Sequence, residues 1–150
     1  AEGCLEQICK EHNHKLNLSN VLYTPKSTAY LKWRYENNPM QNYEVISTSD
    51  WYAAMYVKKH KYFNELRVVE VIGVNNKSAR KQLQKAVLRH ALEKKCTIIS
   101  IADKDVFQLR IFGFFGPKLT FRSTALSNHI KDFALDIKNW KYSLGDLELF

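Results

Sequence analysis

The sequence predicts an α+β (mixed α/β) fold, in which helices flank a central mixed, mostly antiparallel sheet. Two observations carry this prediction. Residues 66–74 are dominated by Val and Ile, and a helical pattern over 78–95 leads to a second apolar run over 96–102. Two earlier strand candidates, 43–48 and 51–57, are separated only by a short Ser-Asp turn, which predicts an antiparallel hairpin.

The composition limits the class of protein. With 150 residues, of which 45% are hydrophobic, the chain is long enough to build one core. Its formal net charge of +8 fits a polyanionic partner such as nucleic acid, an acidic lipid surface or a nucleotide-containing cofactor. No apolar run is long enough to cross a bilayer, no signal peptide is evident, and the odd number of cysteines favours a reducing compartment, so we expect a cytoplasmic protein.

Residues 1–24 are predicted to be an N-terminal segment or linker, and residues 25–150 to form a single domain. The first stretch is polar and basic, and its weak helical stripe consists of Leu5, Ile8 and Cys9. The cysteines and histidines of this stretch lack the spacing of a structural zinc site, so we predict no bound metal.

The elements of the domain follow in order. Ser27 or Thr28 caps a helix over 30–35, which ends at 37–39 because the residue before a proline is pushed out of the helical region. The strand over 66–74 is apolar on both faces, as is typical of a central strand. One face is predicted to hold Leu66, Val68, Glu70, Ile72 and Val74, and the other Val69, Val71 and Gly73.

After the strand over 96–102, Asp103 is predicted to cap a short helix that runs through Ile111 and ends at Gly113. The remaining segments are predicted to alternate as strands or to form an irregular tail. They are 118–123, 132–137 and 142–150.

Two motifs lie near the ends of the predicted domain. They are Tyr30-Leu31-Lys32-Trp33-Arg34-Tyr35-x-x-x-Pro39 and Trp140-x-Tyr-Ser-Leu-Gly145-Asp146-x-x-x-Phe150. Together with the order of elements, they resemble the second lobe of two-lobed bacterial members of the Gcn5-related N-acetyltransferase (GNAT) superfamily. The resemblance implies that acetyl-CoA is the donor, that an amine is the acceptor, and that the chain is bacterial.

In that superfamily, acetyl-CoA lies where the central strand parts from its neighbour, and amides at the start of the next helix bind its pyrophosphate. The corresponding residues implied here are Val71, Gly73, Val74, Asn75, Asn76, Lys77, Ser78, Ala79 and Arg80. The segment lacks the paired glycines of the superfamily's turn, although Lys77 and Arg80 supply charge that favours phosphate. An ordinary helix start, capped by Asn76 or Ser78, is the alternative interpretation.

The resemblance also suggests catalytic residues. Glu70 is the only carboxylate inside the central strand, where burial would raise its pKa and suit it to act as a general base. The alternative is that Glu70 only pairs with a basic residue such as Arg67 or Arg110. Leu109 stands where many members carry the tyrosine that protonates the CoA thiolate, so Tyr142 is the candidate acid.

Two functional hypotheses follow. The first is acyl transfer from CoA to an amine, by the degenerate lobe of a larger acetyltransferase that packs on a second GNAT lobe or forms a homo-oligomer. The second is a catalytically silent lobe of the same fold that binds a partner, which the missing glycines and Leu109 favour for this chain in isolation. The basic residues of the long helix form a ridge, but no nucleic-acid-binding motif accompanies them, so nucleic acid is not the predicted partner.

Overall fold

A computed structural model describes residues 2–103, 106–107 and 128–147. The helices are α1 (Glu2–Leu18), α2 (Thr28–Leu31), α3 (Lys77–Glu93), α4 (Asn128–Leu135) and α5 (Leu144–Leu147). The strands are β1 (Glu44–Ser47), β2 (Tyr52–Lys59), β3 (Asn64–Ile72) and β4 (Ile98–Ile101). A π-helical turn, Lys32–Glu36, continues α2, and a 3₁₀ turn, Ile137–Asn139, follows α4.

The four strands form one open sheet with the order β1-β2-β3-β4. The β1–β2 and β2–β3 pairs are antiparallel, and the β3–β4 pair is parallel, with α3 as the crossover. The predicted α+β class and the mostly antiparallel sheet with flanking helices are therefore confirmed. Within the described ranges, no helix is long and apolar enough to cross a membrane.

Two apolar clusters cover the two faces of the sheet. Helix α3 buries Ala79, Leu83, Val87 and Ala91 against one face. On the other face, α1 contributes its stripe to a cluster with residues of α2 and the π-helical turn. That cluster includes Leu5, Ile8, Cys9, Leu31 and Tyr35. The stripe of α1 is thus part of the core, while the domain boundary at residue 24 stays a prediction.

A β-bulge in β3 reverses part of the predicted alternation. Ala54 pairs with Glu70 but the next residue, Met55, pairs with Val68, so Val69 is an extra residue in β3. The prediction that Glu70 shares a face with Val68 is therefore wrong, because a period of two along one strand cannot reveal a bulge in its pairing. The side chains of Leu66, Val68 and Val71 face α3, and those of Val69, Glu70 and Ile72 face α1 and α2.

Strand β3 ends at Ile72, two residues before its predicted end, and Gly73 follows it. The Gly73 φ of +85° lies in the left-handed region, which favours glycine. An added Cβ would also lie 2.5 Å from the carbonyl oxygen of Asp50. The chain therefore leaves the sheet at this residue and enters the loop before α3.

The predicted strands or irregular tail near the C-terminus are wrong for the residues that the structure describes. The segment 132–137 falls mainly in α4 and reaches the 3₁₀ turn, and α5 forms within 142–150. Short apolar segments fit a period of two and a period of 3.6 equally well, so the pattern alone misassigned them. The predicted helix over 103–111 and the strand over 118–123 fall largely or wholly outside the described residues.

Candidate functional site

The parallel strands β3 and β4 pair over only part of their length. Their ladder runs from the Glu65–Ile98 pair to the Val68–Ile101 pair. Strand β3 continues to Ile72, and beyond Val68 it pairs with β2 alone among the described strands. A cleft follows the free edge of β3, starting where β4 ends.

The outer part of this cleft, which we name the basic mouth, has a volume of about 420 Å³. One wall is the end of β3 and the loop after it, residues 71–75. Its basic lining residues are His12, Lys15, Arg80, Lys138 and Lys141. Asp103 is the one carboxylate among the described lining residues, 3.7 Å from Lys141. The excess of positive charge favours an anionic ligand.

The first turn of α3 lies beside the basic mouth. Asn76 is its N-cap, and the side-chain oxygen of Asn76 accepts a hydrogen bond from the Ala79 amide at 2.8 Å. The amides of Lys77 and Ser78 belong to the same turn, in which intrahelical carbonyls are out of reach. Arg80 Nε is buried without a hydrogen-bond partner in the described part of the chain. Such donors are groups that a bound anion would satisfy.

The residues predicted to bind the cofactor fall into two groups. Val71, Gly73, Val74, Asn75 and Arg80 line the basic mouth. Asn76, Lys77 and Ser78 are exposed at the helix start, and the side chain of Ala79 is buried in the core. The structure therefore brings five of the nine residues to one cavity and leaves the first turn of α3 at its edge.

Glu70 lies in a buried ionic cluster, which consists of Lys26, Tyr35, Glu70, Ser143 and Asp146. Lys26 Nζ is 2.7 Å from Glu70 Oε2 and 2.9 Å from Asp146 Oδ1. The hydroxyls of Tyr35 and Ser143 donate to the same Glu70 oxygen, at 3.0 and 3.1 Å. The cluster therefore fixes α5 and the segment before α2 onto the free edge of β3.

Local structure at α5 positions the carboxylate of Asp146. The Ser143 amide donates to Asp146 Oδ2 at 2.9 Å, and the Asp146 amide donates to Ser143 Oγ at 3.2 Å, which is a capping box. Between them, a Cβ on Gly145 would collide with the Tyr35 hydroxyl. The Gly145 carbonyl accepts a hydrogen bond from Arg34 at 2.6 Å. Close approach of α5 to Tyr35 therefore requires glycine at this position.

The two carboxyl groups of the cluster have pKa values shifted in opposite directions. Burial raises the pKa of Glu70, because the loss of hydration outweighs the attraction of Lys26. Burial also acts to raise the pKa of Asp146, but Lys26 and the hydrogen bond from the Ser143 amide outweigh it and hold that pKa below its usual range. The two carboxylates raise the pKa of Lys26 despite its own burial. Of the two acids, Glu70 takes up a proton more readily.

A narrow cavity of about 30 Å³, which we name the neck, joins the basic mouth to the cluster. Both residues predicted to be catalytic, Glu70 and Tyr142, line the neck, and so does His12. Burial and then the nearby lysines lower the pKa of His12 to about 4, so its imidazole is neutral at neutral pH. The neck has room for about two water molecules, since a cavity of this kind needs about 10–15 Å³ to hold one.

Glu70 does pair with a basic residue, as the alternative interpretation had it, but that residue is Lys26 and not Arg67. Arg67 instead lies 3.1 Å from Glu65, and Arg110 falls outside the described residues, as does Leu109. Lys26 and Tyr35 were missed because they contact Glu70 across 44 and 35 residues of sequence. Ser143 and Asp146 did carry a signal, since their spacing is that of a capping box.

The fold is an α+β domain with a basic cleft beside a parallel strand pair. Within the described ranges, no group of three or more His, Cys, Asp or Glu side chains is arranged to hold a metal ion. No known protein family, curated protein or solved structure matches the chain. The resemblance to acetyltransferases therefore stays a prediction from the sequence.

Proposed function

We propose that this chain is a GNAT-like N-acyltransferase lobe that binds an acyl thioester of CoA in the basic mouth and transfers the acyl group to an amine. The observation that carries the proposal is the parting of β3 from β4 next to the start of α3. A pyrophosphate placed there would meet the free amides of the first turn of α3 and the positive end of the helix dipole. Arg80 and the mouth lysines would add charge.

The proposed reaction forms one bond and breaks one. The amine nitrogen attacks the thioester carbonyl carbon, a C–N bond forms, and the C–S bond breaks. The amine loses a proton and the CoA thiolate gains one. Backbone N–H groups on the free edge of β3 beyond Val68 would polarise the carbonyl. Glu70 would accept the proton through water in the neck, and Tyr142 would supply one to the thiolate.

A catalytically silent lobe of the same fold is the second candidate. It is favoured by the way in which Glu70 is held. Its side chain is only 2% exposed, and its Oε2 atom accepts hydrogen bonds from Lys26, Tyr35 and Ser143. A carboxylate bound in this way serves to attach α5 to β3, and the chain would then bind CoA or a partner without turnover.

Calorimetry of the full chain with CoA tests the binding step. We expect binding at low salt that weakens as salt is added, because the site is cationic. Arg80→Met should weaken binding about tenfold, which is about 1.4 kcal/mol. Lys81→Met is the matched control, because Lys81 is exposed on the same helix and does not line the mouth. Absence of CoA binding, or equal losses in both variants, would contradict the proposal.

Thiol release from acetyl-CoA, measured with a panel of primary amines, separates the two candidates. If the chain is an enzyme, Glu70→Gln and Tyr142→Phe should each lower the rate by roughly 10²- to 10⁴-fold, the usual share of general acid–base catalysis. The affinity for CoA, measured on the same samples, shows that the variants are folded. A chain that binds CoA but releases no thiol with any amine would be the silent lobe.

A further inference from the structure

A second large cavity, which we name the apolar chamber, lies beside the neck. Its volume is about 350 Å³, more than twice that of the roughly 150 Å³ apolar cavity known to bind benzene. Most of its described lining is apolar: Ala134, Leu135, Ile137, Trp140, Tyr142 and Leu147. Tyr23, Thr24, Lys141 and Asp146 complete that lining. A mainly apolar lining with a few polar groups suits a hydrocarbon ligand.

The chamber borders the candidate site. The basic mouth and the chamber share Trp140 and Lys141 as lining residues. The neck and the chamber share Tyr142 and Asp146 among others. The three cavities therefore adjoin one another: the mouth is cationic, the neck borders Glu70, and the chamber is mainly apolar.

The wall of the chamber is held in place by hydrogen bonds. The indole N–H of Trp140 donates to the Ala134 carbonyl at 2.8 Å. The chain on either side of Trp140 pairs with Leu22, whose amide donates to the Asn139 carbonyl at 2.7 Å and whose carbonyl accepts from the Lys141 amide at 2.8 Å. A wall fixed in this way lowers the ordering cost of binding a ligand.

The chamber also has apolar surface that a ligand would cover. The side chains of Leu135 and Ile137 are 56% and 49% exposed at its border. Covering such surface is favourable in proportion to the apolar area removed from water. A ligand that only occupied the basic mouth would leave this surface in contact with solvent.

We infer that the apolar chamber binds the hydrocarbon chain of an acyl group longer than acetyl, so that medium-chain acyl-CoA thioesters are the preferred donors. The inference rests on the proposed function. A single ligand must present phosphates to the mouth, a thioester carbonyl at the opening of the neck, and an apolar chain to the adjoining chamber. Acyl-CoA carries these three groups in that order. A free nucleotide would leave the chamber empty, and a free hydrocarbon would leave the cationic mouth empty.

Calorimetry of the full chain with CoA, acetyl-CoA and octanoyl-CoA tests this inference. Octanoyl-CoA should bind at least about tenfold more tightly than acetyl-CoA, with a more negative heat-capacity change. Ile137→Trp, which adds bulk at the chamber, should bring the ratio of the two affinities close to one. Leu92→Trp is the matched control, because Leu92 is 78% exposed on α3 and does not line the chamber, and it should keep the ratio.

The outcomes separate this inference from the proposed function. If CoA and acetyl-CoA bind and octanoyl-CoA binds no more tightly, the chamber assignment is overturned and the proposed function stands. A preference for octanoyl-CoA that survives Ile137→Trp also overturns the chamber assignment. If none of the three compounds binds, both proposals fail.

Discussion

The pKa values of two glutamates of β3, five residues apart, are shifted in opposite directions. The donors to Glu65 are His60, Arg67 and Ser100. Burial acts to raise the pKa of Glu65, but these hydrogen bonds outweigh it and lower the pKa to about 2. Glu70 has Lys26 beside it, yet burial prevails and raises its pKa. The side chain of Glu65 is 11% exposed and that of Glu70 only 2%.

The comparison shows that a partner of opposite charge does not by itself determine the state of a carboxylate. At the Glu65 end of β3, which is slightly more exposed, hydrogen bonds from three donors, one of them the Arg67 guanidinium, stabilise the charged form of Glu65. At the sealed end, the loss of hydration makes the ion costly even beside a lysine. A proton acceptor is therefore better placed at Glu70 than at Glu65. The predictions below test this contrast, from the largest expected effect to the smallest.

Lys26→Met should produce the largest loss of stability. It leaves the Glu70 carboxylate buried without a cation, and breaking a buried pair in this way costs about 3–5 kcal/mol in the free energy of unfolding. Urea denaturation measures the change. The double variant Lys26→Met/Glu70→Gln should recover part of the loss, because the unpaired charge is gone. A loss in the free energy of unfolding as small as that of the exposed control Lys81→Met would show that Lys26 contributes no more to stability than a surface lysine.

Gly145→Ala tests the packing that closes the Glu70 end. The new Cβ would collide with the Tyr35 hydroxyl, which also donates to Glu70, so we expect a loss of about 1–3 kcal/mol. Gly3→Ala is the matched control, since the same methyl group at Gly3 of α1 meets nothing within 4 Å. It should be neutral or stabilise the helix by about 0.5–1 kcal/mol. Equal effects of the two substitutions in thermal unfolding would rule out the close approach of α5.

Glu65→Gln should cost less than either change, about 1 kcal/mol at neutral pH. It removes the charge that strengthens three hydrogen bonds, but it buries no unpaired ion at this partly solvated site. Chemical denaturation of the variant and of Arg67→Met gives the size of the effect. A loss of 3 kcal/mol or more would mean that the Glu65 end is as tightly sealed as the Glu70 end.

The two glutamates should give opposite dependences of stability on pH. Because the folded pKa of Glu65 is about 2 and its unfolded value is near 4.5, its stabilisation is present above pH 4.5 and is lost as the pH falls towards 2. Glu70 has a raised folded pKa, so its contribution is most favourable below pH 4.5 and declines as the pH rises through the folded value.

The measurement compares each glutamine variant with the parent chain as a function of pH. The stability advantage of the parent over Glu65→Gln should shrink progressively as the pH falls from 4.5 towards 2, by at most about 1.4 kcal/mol per pH unit. The advantage over Glu70→Gln should change in the opposite direction. If both stability differences changed with pH in the same direction, the pKa values of Glu65 and Glu70 would not be shifted in opposite directions.

The candidate site was predicted in part. The segment 71–80 and Glu70 were identified from the sequence because they lie in one strand and the start of the next helix. Both features are recognisable from residues that are close together in the chain. His12 also lines the neck, although the sequence analysis placed it in an N-terminal segment outside the predicted domain. Nothing in the polar pattern of α1 indicates that His12 reaches a cleft on the sheet, since that contact depends on how α1 packs.

The sequence alone determined the hairpin, the central strand, α3 and β4, because turns and apolar periods act over a few neighbouring residues. Only the tertiary structure decided which way Glu70 points, since the bulge at Val69 exists in the pairing of β3 with β2 and not in either strand alone. The tertiary structure also decided which side chains contact Glu70. Its contacts with Lys26, Tyr35 and Ser143 span 44, 35 and 73 residues, and such contacts form only when the whole chain packs.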